Sequence, residues 1–206
     1  MFRFLVFLLV LFCFEVAADT PLVQALENLP ALRSGEILHE HTRRDEPGGA
    51  IRAELLIRAE IEDIWNMLLG CGRAFVFVDG LEQCEILESD ATHVLVHQVV
   101  DPGILAPQQD YTYKSDLTTH SGMEFNMVEG TMKTIDGSWE FFEVDEGVVL
   151  IYTMHVVSNW PVPRFLIRRS IRKSIPHMLA CIRGLLNGSA NPDALKHDLD
   201  RCPGEI

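Results

Sequence analysis

The sequence predicts an α+β fold in which a curved antiparallel sheet wraps around one long C-terminal helix. Three observations predict it. Six short apolar-rich runs, near 81–89, 92–100, 110–118, 123–133, 137–145 and 147–157, are mostly separated by turn residues such as Ser89-Asp90, Asp136-Gly137 and Glu146-Gly147. Short turns between successive strands impose antiparallel pairing. Two earlier runs, 35–44 and 50–59, flank the turn signal Asp45-Glu46-Pro47-Gly48-Gly49 and can join the same sheet. Finally, Ile167, Ile171, Ile175, Met178, Ile182 and Leu185 recur at steps of three and four over 164–186. That apolar stripe marks a long helix that must bury one face against the sheet.

The chain opens with Met1-Phe2-Arg3, an almost wholly apolar run from Phe4 to Phe14, and Glu15-Val16-Ala17-Ala18-Asp19. A basic start, an apolar run and small residues before a cut after Ala18 form the layout of a signal peptide over 1–18. The run is shorter than the roughly 20 residues that span a bilayer. Export implies a secreted or periplasmic location. Residues 19–34 read as an N-terminal arm or short helix with Leu22, Leu26 and Leu29 at helical spacing. After the second strand, Ile61, Ile64, Trp65 and Leu68 place one apolar face on a helix over 60–69, with Gly70 and Gly72 as its stop and a loop through Phe75–Gly80 behind it. Pro176 is expected to kink the terminal helix or end its first half. The polar stretch 188–206 reads as a loosely held C-terminal tail.

The net charge of −13 argues against nucleic-acid binding, because phosphates are met by Lys and Arg. Removing Arg3 and Glu15 with the signal leaves that balance unchanged. Cys71, Cys84, Cys181 and Cys202 remain, an even number with no CxxC spacing. Such a set fits two disulfides, with three pairings to choose from, or four buried thiols. Among the pairings, Cys71–Cys84 flanks one helix-to-strand connection and Cys181–Cys202 folds the tail back on the last helix. No nucleophile elbow, P-loop or dinucleotide fingerprint occurs, and no cofactor is implied. His39 and His41 share a strand face but have no third ligand, so no metal site is assigned.

The order of elements resembles the START/polyketide-cyclase superfamily of helix-grip domains, in particular its small bacterial branch and coenzyme Q-binding relatives. The stretches that carry the resemblance begin with Ile57-Arg58-Ala59-Glu60-Ile61-Glu62-Asp63-Ile64-Trp65 and Leu81-Glu82-Gln83-Cys84-Glu85-Ile86-Leu87. They continue with Asp101-Pro102-Gly103 through Pro107 to Asp110-Tyr111, then Gly137-Ser138-Trp139-Glu140-Phe141. Tyr152 and Pro161-Val162-Pro163 before the terminal helix complete them. The resemblance covers 35–187 and implies a START-like domain that carries a hydrophobic small molecule, a lipid or an isoprenoid quinone.

A sheet wrapped around a helix leaves room for a cavity beneath that helix. The residue pattern assigns its lining to Trp65, Tyr113, Phe125, Met127, Trp139, Phe141, Tyr152, Met154, Ile171, Ile175 and Met178. One residue of register error exchanges each strand member for its neighbour, His155 for Met154 among them. The superfamily's cyclase branch implies a second reading, acid/base work on a bound polyketide by Tyr111, Tyr113, Tyr152 or His155. A partner-binding module with a filled core is a third. Arg164, Arg168 and Arg172 form one stripe at the start of the terminal helix, with Arg169 and Lys173 beside it. Arg168, Arg169, Arg172 and Trp160 form a candidate contact with an anionic membrane or a ligand headgroup.

Cleavage of the exported protein is expected after Ala18, because Val16 and Ala18 occupy the small-residue sites before the cut. Intact mass of the exported protein checks this, and a product still beginning at Met1 overturns it.

Overall fold

A computed structural model describes residues 21–41, 48–103, 107–186 and 192–204. The signal segment 1–18, the turn residues Asp45-Glu46-Pro47 and the Asn187-Gly188 stop of the last helix lie outside the described residues.

Two short helices, α1 (Pro21–Glu27) and α2 (Leu29–Arg33), precede β1 (Leu38–Glu40) and β2 (Gly49–Ile57). Next come α3 (Ile61–Leu69) and α4 (Cys71–Phe77), then the strands β3 (Leu81–Ser89), β4 (His93–Val100), β5 (Gln109–Thr118), β6 (Gly122–Gly130), β7 (Thr134–Val144) and β8 (Gly147–Val157). The long helix α5 (Arg164–Leu185) and the short α6 (Pro192–Leu199) follow.

All eight strands form one antiparallel sheet in the order β1-β2-β8-β7-β6-β5-β4-β3. The expected α+β class, a curved antiparallel sheet with a long C-terminal helix, is the observed one. The meander from β3 to β8 returns the chain to β2, which pairs with β8 over its whole length, from Gly49–Val156 to Ile57–Val148. The segment α3–α4 carries the chain from β2 to the far edge of the sheet, where the meander begins.

The two faces of the sheet have separate apolar cores. Ile51, Ala53, Leu55 and Ile57 of β2 and Val148, Leu150 and Tyr152 of β8 face α3, α4 and α5. On the opposite face Leu56, Val149 and Ile151 meet Ala25 and Leu32 of the N-terminal helices. This double burial explains why β8 reads as a near-continuous apolar run, whereas β2 alternates only over Ile51-Arg52-Ala53-Glu54-Leu55. Glu54 is the exception on the outer face. It is 2 % exposed, pairs with Arg52 and accepts a hydrogen bond from Asn28 Nδ2 at 3.0 Å.

Four local expectations are corrected. Asp136-Gly137, read as a turn, lies inside β7, where Gly137 pairs with Phe125 of β6 and Met154 of β8, and the chain turns at 131–133 instead. Gly70 ends α3, but Gly72 does not prevent a second helix, and 71–77 forms α4 where a loop was expected. Ala74 and Phe77, one turn apart, are buried and give α4 its inward face. Of the two effects expected of Pro176, a kink or an end to the first half of the helix, the end is the one corrected, for α5 continues from Arg164 to Leu185. Residues 192–204 are polar, yet they are tied down. Cys202 is bonded to Cys181, and Gly204 N donates to Val76 O at 3.1 Å. Arg183 makes a two-pronged pair with Asp198, Nε to Oδ2 at 2.7 Å and Nη2 to Oδ1 at 2.9 Å, and also donates to Gly35 O at 3.1 Å. A buried ion pair and a cross-link hold what apolar burial alone would not.

Both partners of that ion pair are nearly sealed, with side chains 8 % and 2 % exposed. Asp198→Ala therefore strands a buried guanidinium and is expected to cost about 3–5 kcal/mol. Converting both residues to apolar ones of similar volume is expected to cost far less. Urea unfolding midpoints check the difference, and equal losses for the single and double variants would contradict it.

Candidate functional site

Between the inner face of the sheet and α5 lies a cavity of about 280 Å³. That is at the small end of the roughly 300–1,000 Å³ of small-molecule sites. Its wall comes from β4–β8, its cover from the ends of α3 and α4 and from Ser174, Ile175 and Met178 of α5. The core is not packed solid at this point, as a filled interaction module would require.

The cavity arises from how α5 seats. Its first half lies over β2, where Gly49 has no side chain and a Cβ would stand 2.7 Å from Ile171 Cδ1. Ile171 fills that space and is buried in the core, so it does not line the cavity, contrary to expectation. Trp65 and Phe141 also lie elsewhere. Their rings pack on each other with centroids 5.8 Å apart, and the second side of Trp65 meets His120. Met127 is half-buried beyond Asn126–Asp136, the last pair joining β6 to β7, and does not reach the cavity.

The structure brings together the other seven predicted lining residues: Tyr113, Phe125, Trp139, Tyr152, Met154, Ile175 and Met178. Strand phase on β8 is as expected. Met154 lines the cavity, whereas His155 lies on the opposite face, with Nδ1 3.0 Å from Asp136 Oδ1. Four of these side chains continue a row of rings across the wall. Tyr111–Tyr113, Tyr113–Phe125, Phe125–Tyr152 and Tyr152–Trp139 have centroids 6.3, 6.4, 6.1 and 4.2 Å apart. Gly137 makes room for the row, since a Cβ there would stand 2.5 Å from Phe125 Cζ.

Several lining residues were missed. Val94, Val96, Gln98 and Val100 occupy alternate positions of β4, and Ser115 shares a face of β5 with Tyr111 and Tyr113. Their period-two spacing was legible, but small side chains gave no reason to prefer that strand face. The disulfide-bonded Cys71 and Cys84 belong to the same wall, with Cα atoms 5.5 Å apart. This bridge fastens the start of α4 to β3, so it pins the cavity's cover to its wall. The Cys181–Cys202 bridge, with Cα atoms 4.9 Å apart, lies at the other end of α5.

The cavity is apolar with a polar strip. The Tyr111 hydroxyl donates to Gln98 Oε1 at 3.0 Å, and the Tyr152 hydroxyl donates to Met154 Sδ at 3.1 Å. Burial raises the pKa of all three phenols. Tyr113 is pushed up to about 12, while Tyr111 and Tyr152, which also feel neighbouring phenols, go higher. Each is a neutral hydrogen-bond donor at every physiological pH.

The candidate membrane residues lie outside the cavity. Arg168, Arg169 and Arg172 are exposed along α5, and Trp160 and Phe165 are 53 % and 68 % exposed nearby in sequence. Arg172 Nε donates to His41 Nε2 at 3.2 Å. Burial and then the Arg172 charge lower the pKa of His41. The rings of His39 and His41 pack edge to face with centroids 5.9 Å apart.

A long helix gripped by a curved antiparallel sheet, with a partly apolar cavity between them, defines the helix-grip class of ligand-binding domain. Residues 57–183 match the family described as polyketide cyclase / dehydrase and lipid transport, and the chain belongs to that family. Its fold is shared by a STAR-related lipid transfer protein from Xanthomonas axonopodis, at 14% identity and TM-score 0.66 over 73% of this chain and 93% of that one. A START superfamily protein from Mycobacterium smegmatis aligns at 11% identity and TM-score 0.57, covering 67% of this chain and 97% of that one. The Zhui aromatase/cyclase of a Streptomyces species aligns at 16% identity and TM-score 0.50, covering 81% and 95%. No curated protein sequence matches the chain.

Proposed function

We propose that this chain is an exported carrier that takes a hydrophobic small molecule, a lipid or an isoprenoid quinone, into the cavity beneath α5. The observation that carries the reading is the unfilled space of about 280 Å³ in an otherwise packed core. Transfer of apolar ligand surface into such a space is favourable by about 25 cal/mol per Å². Met154 and Met178 in the lining suit a flexible chain, because an unbranched thioether re-packs at low cost. The signal-like segment supports export, and the two disulfides fit an oxidising compartment. The lipid transfer neighbour supports the carrier reading at the level of fold.

A second reading, a cyclase-like enzyme acting on a bound polyketide, is favoured by the phenols in the cavity. Burial keeps the Tyr113 phenol protonated, so it would donate a hydrogen bond to a substrate carbonyl there. Catalysed ring closure of a linear polyketide, lost in Tyr113→Phe, is its test.

The carrier reading expects native mass spectrometry of the exported protein to find a co-purified hydrophobic molecule. Ile175→Glu places a carboxylate in the cavity wall, where Ile175 is 6 % exposed. It is expected to abolish retention of a fluorescent lipid and to lower the thermal midpoint. A folded variant that retains the lipid would overturn the assignment of the site.

The exposed arginines and aromatic side chains at the start of α5 support peripheral contact with anionic membranes, where the ligand would be exchanged. Each charge is worth about 1 kcal/mol near such a surface. Replacing Arg168, Arg169 and Arg172 by Gln is expected to weaken sedimentation with phosphatidylserine vesicles strongly, with the fold unchanged. Equal sedimentation of wild type and variant would leave the arginines as a solvated face.

A further inference from the structure

The polar atoms of the cavity gather on the β4–β5 part of the wall. Register places Gln98 opposite Tyr111, Val96 opposite Tyr113 and Val94 opposite Ser115. Gln98 and Tyr111 satisfy each other, and Gln98 Nε2 donates weakly to Cys84 Sγ at 3.6 Å. Tyr113 and Ser115 are different. Among the described residues neither hydroxyl has a hydrogen-bond partner, and neither oxygen is sealed away from the cavity space. A hydroxyl without a protein partner in a largely apolar site gains from a ligand atom that completes it.

The charges of the lining are as informative. Among the described lining residues there is no Lys, Arg or His, and the single carboxylate, Asp79, is exposed. An anionic ligand would lose its water without meeting a counter-charge, a cost far above that of a neutral polar group.

We propose that the cavity selects an uncharged amphiphile bearing one acceptor oxygen, such as an alcohol, ketone or ester, seated at the Tyr113 hydroxyl with Ser115 beside it, and rejects the carboxylate of the same chain. This rests on the carrier reading and narrows it to a chemical class. Lipids whose buried end is an ionised carboxylate are excluded by it. The raised pKa of Tyr113 keeps its proton in place, so the seat itself does not change with pH over the physiological range. A fatty acid changes instead. It is excluded above its carboxyl pKa and gains affinity as falling pH neutralises it.

Displacement of Nile red, a neutral fluorophore, from the full-length exported protein tests this with octanol, octanoate and octane as competitors. At mildly alkaline pH octanol is expected to compete at least about tenfold better than octanoate. Its affinity relative to octane is expected to fall about fivefold in Tyr113→Phe, which keeps the ring and removes the donor. Ser115→Ala is expected to have a smaller effect of the same sign. Octanoate competing as well as octanol at that pH would overturn the charge selection, while Nile red binding would leave the carrier reading standing. An octanol-to-octane ratio unchanged by Tyr113→Phe would overturn the seat. A folded wild type that does not bind Nile red would overturn the carrier reading, and this inference with it.

Discussion

The inner face of the sheet is wider than one helix can cover, and most features of the protein depend on that mismatch. α5 settles on the β2 side, where Gly49 lets Ile171 approach the backbone closely. There the two layers meet directly, and Leu55, Leu150, Leu179 and Ile182 are fully buried. On the other side the wall formed by β4–β7 curves away from the helix. Burying that wall as well would require another layer, and α4 supplies only part of one. The remainder is the cavity.

A cavity is a debit in stability, since its lining lacks partner atoms on one side. The protein therefore needs cohesion elsewhere. One bridge ties α4 to β3 beside the cavity, and the other ties the chain after α6 to α5. The Arg183–Asp198 pair adds a contact that joins α5, α6 and the residues before β1. On the outer face, Leu32 and Ala25 close a second core against β2 and β8. These elements hold the rim of the grip while its centre stays open.

The chemistry of the open centre follows from its rings. Aromatic side chains give a large apolar wall, and the tyrosines add a polar tip to it. Tyr152 and Tyr111 spend their hydroxyls on Met154 and Gln98, whereas Tyr113 keeps its own for the cavity. Burial holds the phenols neutral, so the wall can order a ligand by hydrogen bonding without placing a charge in an apolar space.

Much of this was legible before any coordinates. Most of the turn residues between six short strands marked an antiparallel meander, although Asp136-Gly137 lies inside β7 and not at a turn, and the stripe from Ile167 to Leu185 determined the helix that lies against it. Parity along β8 puts Tyr152 and Met154 on one face, because successive side chains must point to opposite sides, while the register between strands brings Tyr113, Phe125 and Trp139 to that same face. What the sequence could not decide was which inward residues meet the helix and which meet empty space. Ile171, Phe141 and Trp65 have the same apolar character as Ile175 and Met178, yet the first three are consumed by packing contacts. That division depends on where α5 crosses the sheet, which a glycine on a distant strand helps to set. The same holds for α4 and for the ordered tail. A helix with two inward side chains and a polar segment with one buried ion pair carry weak local signals, and only the tertiary contacts made by Phe77, Arg183 and Asp198 give them a fixed place.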